Sequence, residues 1–218
     1  MVYDENVYIP SDDTMLFIDY FKQFFDSNTF NGIDTNQIHN ILDLGTGSGI
    51  LAIILAKFIK PTHFPKAKIY ASDILSEAIE IAKENARKNS LEDDIEFIQS
   101  NLFDEFPPVF KNKFEIILFN PPYLPSEPFT KQKAKKKLDY SWEGGEKGIE
   151  TFEKFLSQSK DFMSKSVITY IYFTFSSNSP LELIYSKIKD LGFQIKILKK
   201  VHIFFEDIIL HRISKKYF

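Results

Sequence analysis

The stretch Ile41-Leu42-Asp43-Leu44-Gly45-Thr46-Gly47-Ser48-Gly49 decides how this chain folds. A short apolar run carries one carboxylate, and glycines then occupy every second position. An apolar stretch, residues 50–59, follows at once. Glycine lets a backbone turn tightly and come close to a ligand, next to the N–H groups of a helix start. Strand, glycine turn and helix in that order open a βαβ unit. The dinucleotide fingerprint requires Gly-x-Gly-x-x-Gly, and position 50 is Ile, so that pattern is not met. A glycine turn also serves plain loop geometry, so the elements further along must say what it is for.

Working outward, the pattern repeats. Residues 39–44 read as strand one, 68–72 as strand two, 95–99 as strand three and 114–119 as strand four. Helices are expected over 49–59, over 75–88 with Leu75, Ala78, Ile79, Ala82 and Ala86 on one face, and over 148–163 with Ile149, Phe152, Leu156 and Met163 buried. An N-terminal helix over 14–25 carries apolar residues at 17, 18, 21, 24 and 25. Pro61-Thr62-His63-Phe64-Pro65 is expected to break the chain. Residues 167–175, β-branched and aromatic, form strand five. The next helix starts with Ser179 as cap, Pro180 at the first helical position and Glu182 completing a capping box, and Gly192 ends it. Residues 193–201 and 207–213 follow as two strands without a helix between them, hence a hairpin. Such alternation predicts a single α/β domain, doubly wound, with a mostly parallel sheet covered on both faces. Ligands in such sheets lie beyond the strand C-terminal ends. The glycine loop, Asp73, Asn101 and Asn120 all fall at such ends.

Asn120-Pro121-Pro122-Tyr123 closes strand four. Its chemistry suits a planar –NH2 group. The Asn120 side-chain oxygen accepts one N–H. The Pro121 carbonyl can accept the other, because a Pro-Pro step is stiff. Tyr123 offers a flat face for an amide or a base. The plain alternative is a turn that leaves the strand. Asp73 has two readings as well. It either accepts hydrogen bonds from ribose hydroxyls or caps the helix that follows.

With these segments together, the chain resembles the class I S-adenosylmethionine-dependent methyltransferases, and more narrowly the HemK family of protein-glutamine methyltransferases. The resemblance runs from about Val7 to the C-terminus. Val7-Tyr8-Ile9-Pro10-Ser11-Asp12-Asp13-Thr14, the glycine loop, Ser72-Asp73, Asn101-Leu102-Phe103, Asn120–Tyr123 and Trp142-Glu143-Gly144-Gly145-Glu146-Lys147-Gly148 carry it. It implies a Rossmann-like seven-stranded sheet with an antiparallel last strand, and S-adenosyl-L-methionine as cofactor with S-adenosyl-L-homocysteine as product. Gly45 and Gly47 would approach the cofactor closely. Asp43 would reach its amino acid end, directly or through water, and Asp73 its ribose. Asn101 and Leu102 would meet the adenine, and Thr14 the methionine moiety. Thr14 also reads as a plain N-cap. Position 101 departs from the family, which usually has Asp there. The Gly-Gly segment would border the substrate groove. The implied reaction methylates a glutamine side chain of a translation release factor. The chain resembles the short archaeal and eukaryotic form, whose members work with a small zinc-binding activator subunit.

Composition bounds the alternatives. The 218 residues include no Cys, which excludes disulfides and thiolate metal sites. The His residues at 39, 63, 202 and 211 show no ligand spacing, so no metal is expected. No stretch approaches the roughly 20 apolar residues of a membrane span, and a cytoplasmic location is expected. Net charge is −3, against the basic footprint of a dedicated nucleic-acid binder. The lysines at 131, 133, 135, 136 and 137 read as a solvated loop, or as a steering patch for an anionic partner. An exocyclic amine of adenine or guanine in RNA or DNA stays open as the methyl acceptor, since a flipped base also presents a planar –NH2. A non-catalytic cofactor-binding subunit and a nicotinamide dehydrogenase are the other classes weighed. The intact Asn120–Tyr123 segment disfavours the first, and Ile50 the second.

Overall fold

A computed structural model describes residues 11–24, 30–32, 34–123 and 144–215. The lysine-rich run at 131–137, Trp142 and Glu143, and residues 7–10 of the N-terminal segment lie outside the described residues.

Seven strands form one sheet: β1 (Asn40–Leu44), β2 (Lys68–Asp73), β3 (Ile95–Gln99), β4 (Ile116–Phe119), β5 (Thr169–Ser176), β6 (Gln194–Ile203) and β7 (Glu206–Lys215). Their order is β3-β2-β1-β4-β5-β7-β6. The pairings β1–β2, β1–β4, β2–β3 and β4–β5 are parallel. β7 runs antiparallel to both β5 and β6, which completes the expected hairpin and the expected antiparallel last strand.

Successive strand residues point to opposite faces, and the apolar residues sort accordingly. Ile41, Ile69, Ile116, Leu118 and Tyr172 pack on one side with helix α1 (Asp12–Phe21) and helix α2 (Ile50–Ile54). Leu42, Leu44, Ile117, Phe119, Phe173 and Phe175 pack on the other with α5 (Glu150–Phe162) and α6 (Leu181–Asp190). The second face is largely aromatic. Phe103 stacks on Phe162 with ring centroids 4.4 Å apart, and Phe119 meets Phe155 at 4.5 Å. Helix α4 (Ser76–Lys88) buries Ala78, Ile79, Ala82 and Ala86, the face that the sequence spacing predicts.

Three local expectations need correction. The break expected over Pro61–Pro65 comes at its far end, at Phe64 and Pro65, and not at Pro61. After α2 comes a π-helical segment, Leu55–Ile59, and then α3 (Lys60–His63). Pro61 falls in the first turn of α3, where its missing N–H and fixed φ are tolerated. Ser179 is not the cap of α6. Pro180 takes that position in a non-helical conformation, and no side chain caps the helix. The Ser179 carbonyl accepts the Leu181 N–H instead, so the helix starts one residue late and no capping box forms. Thr14 is not a cap either. Ser11 holds the N-cap position of α1, and Thr14 is buried inside the first turn. Asp12 and Asp13 in that turn complement the positive end of the helix dipole.

Candidate active site

Strand register brings the predicted residues together. Leu44 on β1 is the partner of Ser72 on one side and of Phe119 on the other. One residue further along, Gly45, Asp73 and Asn120 therefore stand side by side, on strands about 4.8 Å apart. The sheet order reverses direction at β1, so this is its switch point.

The glycine loop is held from three directions. The Thr46 N–H donates to the Ser72 carbonyl at 2.8 Å. Gly49, with φ +81, begins α2, and a Cβ there would come within 2.9 Å of the Ala82 Cβ on α4. Gly45, with φ +68, is exposed on its outer side, so bare backbone faces the switch point. Asp43 is buried. Its Oδ2 accepts the Thr46 hydroxyl at 2.6 Å and the Ala52 N–H at 3.1 Å. These bonds make it the tie between strand, loop and helix. Burial pushes the Asp43 carboxyl up to about 7, the two donors work against that rise, and the charge of Asp73 adds to it.

Asp73 is half-buried at the end of β2. Its Oδ2 accepts the Gly47 N–H at 2.9 Å and its Oδ1 accepts the Leu75 N–H at 3.0 Å. It thus braces the glycine loop and the entry to α4 at once. Burial holds this carboxyl above its ordinary value, against the pull of the N–H groups of Leu75, Gly47 and Ile74.

Asn101 follows β3 and is exposed. Its N–H donates to Glu105 Oε2 at 2.7 Å, and the Ser100 hydroxyl reaches the same oxygen at 3.0 Å. Leu102 is buried with φ +55, a left-handed conformation that costs a non-glycine residue roughly 1–2 kcal/mol. The Glu105 clamp holds that turn in place.

Asn120 is half-buried and Pro121 is buried, while Pro122 and Tyr123 are half-buried. The Thr174 hydroxyl on β5 donates to Asn120 Oδ1. The Tyr123 hydroxyl lies 3.4 Å from Asp13 Oδ2, and the Tyr123 ring lies 6.2 Å from that of Phe175. Thr14 is close by, its N–H donating to Asp13 Oδ1 at 2.6 Å. Gly144 packs behind the Pro-Pro step. A Cβ on it would meet the Pro122 carbonyl oxygen at 2.6 Å and collide with the Gly148 carbonyl. Gly144 thus lies against the Asn120–Tyr123 segment.

Thr174, Asp13 and Glu105 are site residues that the sequence reading misses. Thr174 carried a signal, as a lone hydroxyl between Phe173 and Phe175 in a run where Val would fit as well. Asp13 stood beside Thr14 without being singled out. Glu105 carried no signal apart from its distance to Asn101.

Residues 36–190 match the family described as Methyltransferase domain. A protein of Methanocaldococcus jannaschii named for protein N5-glutamine methyltransferase activity is 30% identical over 204 residues, covering 94% of this chain and 89% of its own length. A release factor glutamine methyltransferase of Dictyoglomus turgidum is 34% identical over 177 residues; the match covers 78% of this chain and 57% of that protein. In fold, the chain is similar to one in the E. cuniculi Mtq2-Trm112 complex, responsible for methylation of the translation termination factor eRF1. The TM-score is 0.65 at 18% identity, over 97% of this chain and 99% of that one. The sheet order, the loop at its switch point and these matches agree: the chain belongs to the methyltransferase-domain family and, within it, to the HemK group of protein N5-glutamine methyltransferases.

Proposed function

We propose that this chain transfers the methyl group of S-adenosyl-L-methionine to the side-chain amide nitrogen of a glutamine in a translation release factor, releasing S-adenosyl-L-homocysteine. The observation that carries this reading is the side-by-side placement of Gly45, Asp73 and Asn120, a nucleoside cradle directly beside an amide-binding carboxamide.

The residues fit the cofactor. The exposed backbone at Gly45 and the half-buried backbone at Gly47 admit close approach. The Asp73 carboxylate has lone pairs left over after the N–H groups it accepts from, enough for a ribose hydroxyl. The Asn101 side-chain oxygen can accept from the adenine amino group while buried Leu102 packs beneath the base. Asp43 holds the loop and would reach the amino acid end, directly or through water, with Thr14 toward the methionine moiety. When bound, the cofactor supplies an electrophilic sulfonium methyl that leaves behind a neutral thioether.

The remaining task concerns the acceptor. An amide nitrogen shares its lone pair with its carbonyl and is a poor nucleophile. Asn120 Oδ1 and the Pro121 carbonyl accept its two hydrogens, which favours positive charge on that nitrogen in the transition state. The Tyr123 ring holds the amide plane, so the nitrogen is presented in line and an entropic barrier falls away. Once alkylated, the nitrogen is acidic and gives up its proton to solvent water without a dedicated base. A small zinc-binding activator subunit is the partner we propose, supported by the similar chain's coming from a complex of Mtq2 with Trm112, and a cytoplasmic location is proposed with the release-factor substrate. Among the described residues, no helix is long and apolar enough to cross a membrane.

The test is incubation of the protein, alone and with such an activator, with methyl-labelled cofactor and either release factor or ribosomal RNA. Mass spectrometry should find the label on a glutamine-containing peptide of the factor. Label in RNA alone would transfer the reading to a nucleobase amine.

A further inference from the structure

We propose that Thr174 is a positioning residue of the acceptor site: its hydroxyl fixes the Asn120 carboxamide with the oxygen end toward the methyl acceptor. The inference rests on the acceptor-binding role given to Asn120 above. Every residue of β5 is buried, and Thr174 is 0% exposed. A hydroxyl in such a place is costly unless it is paired, and valine has the same shape without that cost. The partner present is Asn120 Oδ1.

The geometry follows from register. Phe119 on β4 is the partner of Phe173 on β5, so Asn120 and Thr174 are the next pair along two adjacent parallel strands. Thr174 is stiff at χ1 because it is β-branched. Its neighbours anchor the strand on the opposite face. Phe152 of α5 lies 4.7 Å from Phe173 and 4.9 Å from Phe175, and Phe175 also meets Tyr123. One strand thus supports both ends of the Asn120–Tyr123 segment.

Orientation matters because a carboxamide has two unlike ends. Its oxygen carries two lone pairs and its nitrogen two donors. Thr174 takes one lone pair and leaves the second for an acceptor N–H. With the ends exchanged, the Asn120 –NH2 would face another –NH2, and the acceptor would be repelled.

The experiment compares Thr174→Val and Thr174→Ser by steady-state methyl transfer, cofactor affinity and thermal melting. Thr174→Val should lower kcat about tenfold, the effect of one lost hydrogen bond, with cofactor affinity and melting temperature unmoved. Thr174→Ser keeps the hydroxyl and should stay within about threefold of wild type. In an Asn120→Ala background, Thr174→Val should add no further loss. Should Thr174→Val fail to fold, Thr174→Ala against Thr174→Ser gives the same comparison. Turnover of Thr174→Val within about twofold of wild type, or an equal proportional loss in both backgrounds, overturns the inference. The ratios are read on whichever planar amine the wild type methylates. A wrong acceptor assignment therefore leaves them intact, and a wrong role for Thr174 does not.

Discussion

The carboxylate of Asp73 accepts the Gly47 N–H at 2.9 Å, joining the end of β2 to the glycine loop. One side chain therefore shapes the loop and offers its remaining lone pairs to a ligand. Asp73→Ala should weaken cofactor binding by roughly 1–3 kcal/mol, the cost of hydrogen-bonding groups left without their partner. It should also lower the melting temperature of the ligand-free protein, because the Gly47 and Leu75 N–H groups lose their acceptor. Asp73→Asn keeps one acceptor oxygen and should fall between the two. Titration calorimetry and melting read the two effects separately. Lower stability with unchanged affinity would leave Asp73 as a structural brace alone.

Asn120 makes the opposite prediction. It lies past β4, beside the loop, and touches Thr174. Asn120→Ala should leave cofactor affinity nearly intact and cut turnover by roughly 10²-fold or more, as when one preorganised hydrogen-bond partner is lost. Single-turnover methyl transfer with saturating cofactor measures this directly. Wild-type turnover in that variant would remove Asn120 from the chemistry.

Gly144 supports the same segment from behind. Its Cα sits where a methyl would press on the Pro122 carbonyl at 2.6 Å. Its own carbonyl accepts the Thr151 N–H at 3.2 Å, so the backbone has little freedom to retreat. Gly144→Ala should push the Pro-Pro step out of place and lower kcat/KM for the acceptor about tenfold or more, the usual penalty for misplacement by about an ångström. Cofactor affinity, which we assign to the ends of β1, β2 and β3, should hold. A variant with normal acceptor kinetics would show that the Pro-Pro step tolerates displacement.

Much of this site was legible in the chain because strand ends carry local marks. An apolar run that stops at Gly45, Asp73 or Asn120 announces both the end of the strand and the group placed there. The sorting of β-strand residues to two faces follows from alternation alone. Contacts made across the sheet were not legible. Thr174 and Asn120 are 54 residues apart, and Asp13 and Tyr123 are 110 apart. Strand register brings the first pair together and the packing of α1 on the sheet the second, and short sequence windows contain neither. Pro61 misled for a different reason. Proline breaks a helix interior, but in the first turn of a new segment it has no N–H bond to lose. At Leu102 the left-handed backbone is imposed by the turn that Glu105 clamps, against the preference of a leucine.

Asp43 gives the last prediction, on pH. Burial raises its carboxyl from the ordinary 3.8 to about 7 in the folded protein. Between those values the folded chain keeps a proton that the unfolded chain has released. Stability from this group therefore falls as pH rises through the interval, and the cost is complete above about 7. His211 acts in the opposite sense. It is buried, its imidazole is held down to about 4 mainly by burial, and stability is lost as pH falls below its ordinary 6.5. The two overlap in wild type, so the readout is a difference. Asp43→Asn keeps an acceptor oxygen where Oδ2 takes both Thr46 and Ala52 and removes the charge, while His211 is common to both proteins. Loss of the charge also relieves Asp73, which adds to the gain in the same direction. The melting temperature of Asp43→Asn minus that of wild type should be smallest near pH 4, grow as pH rises toward about 7, and level off above that, where folded and unfolded wild type both carry the charge. A flat difference across that range would mean that Asp43 ionises in the fold as it does in the open chain, and that its two hydrogen bonds offset its burial.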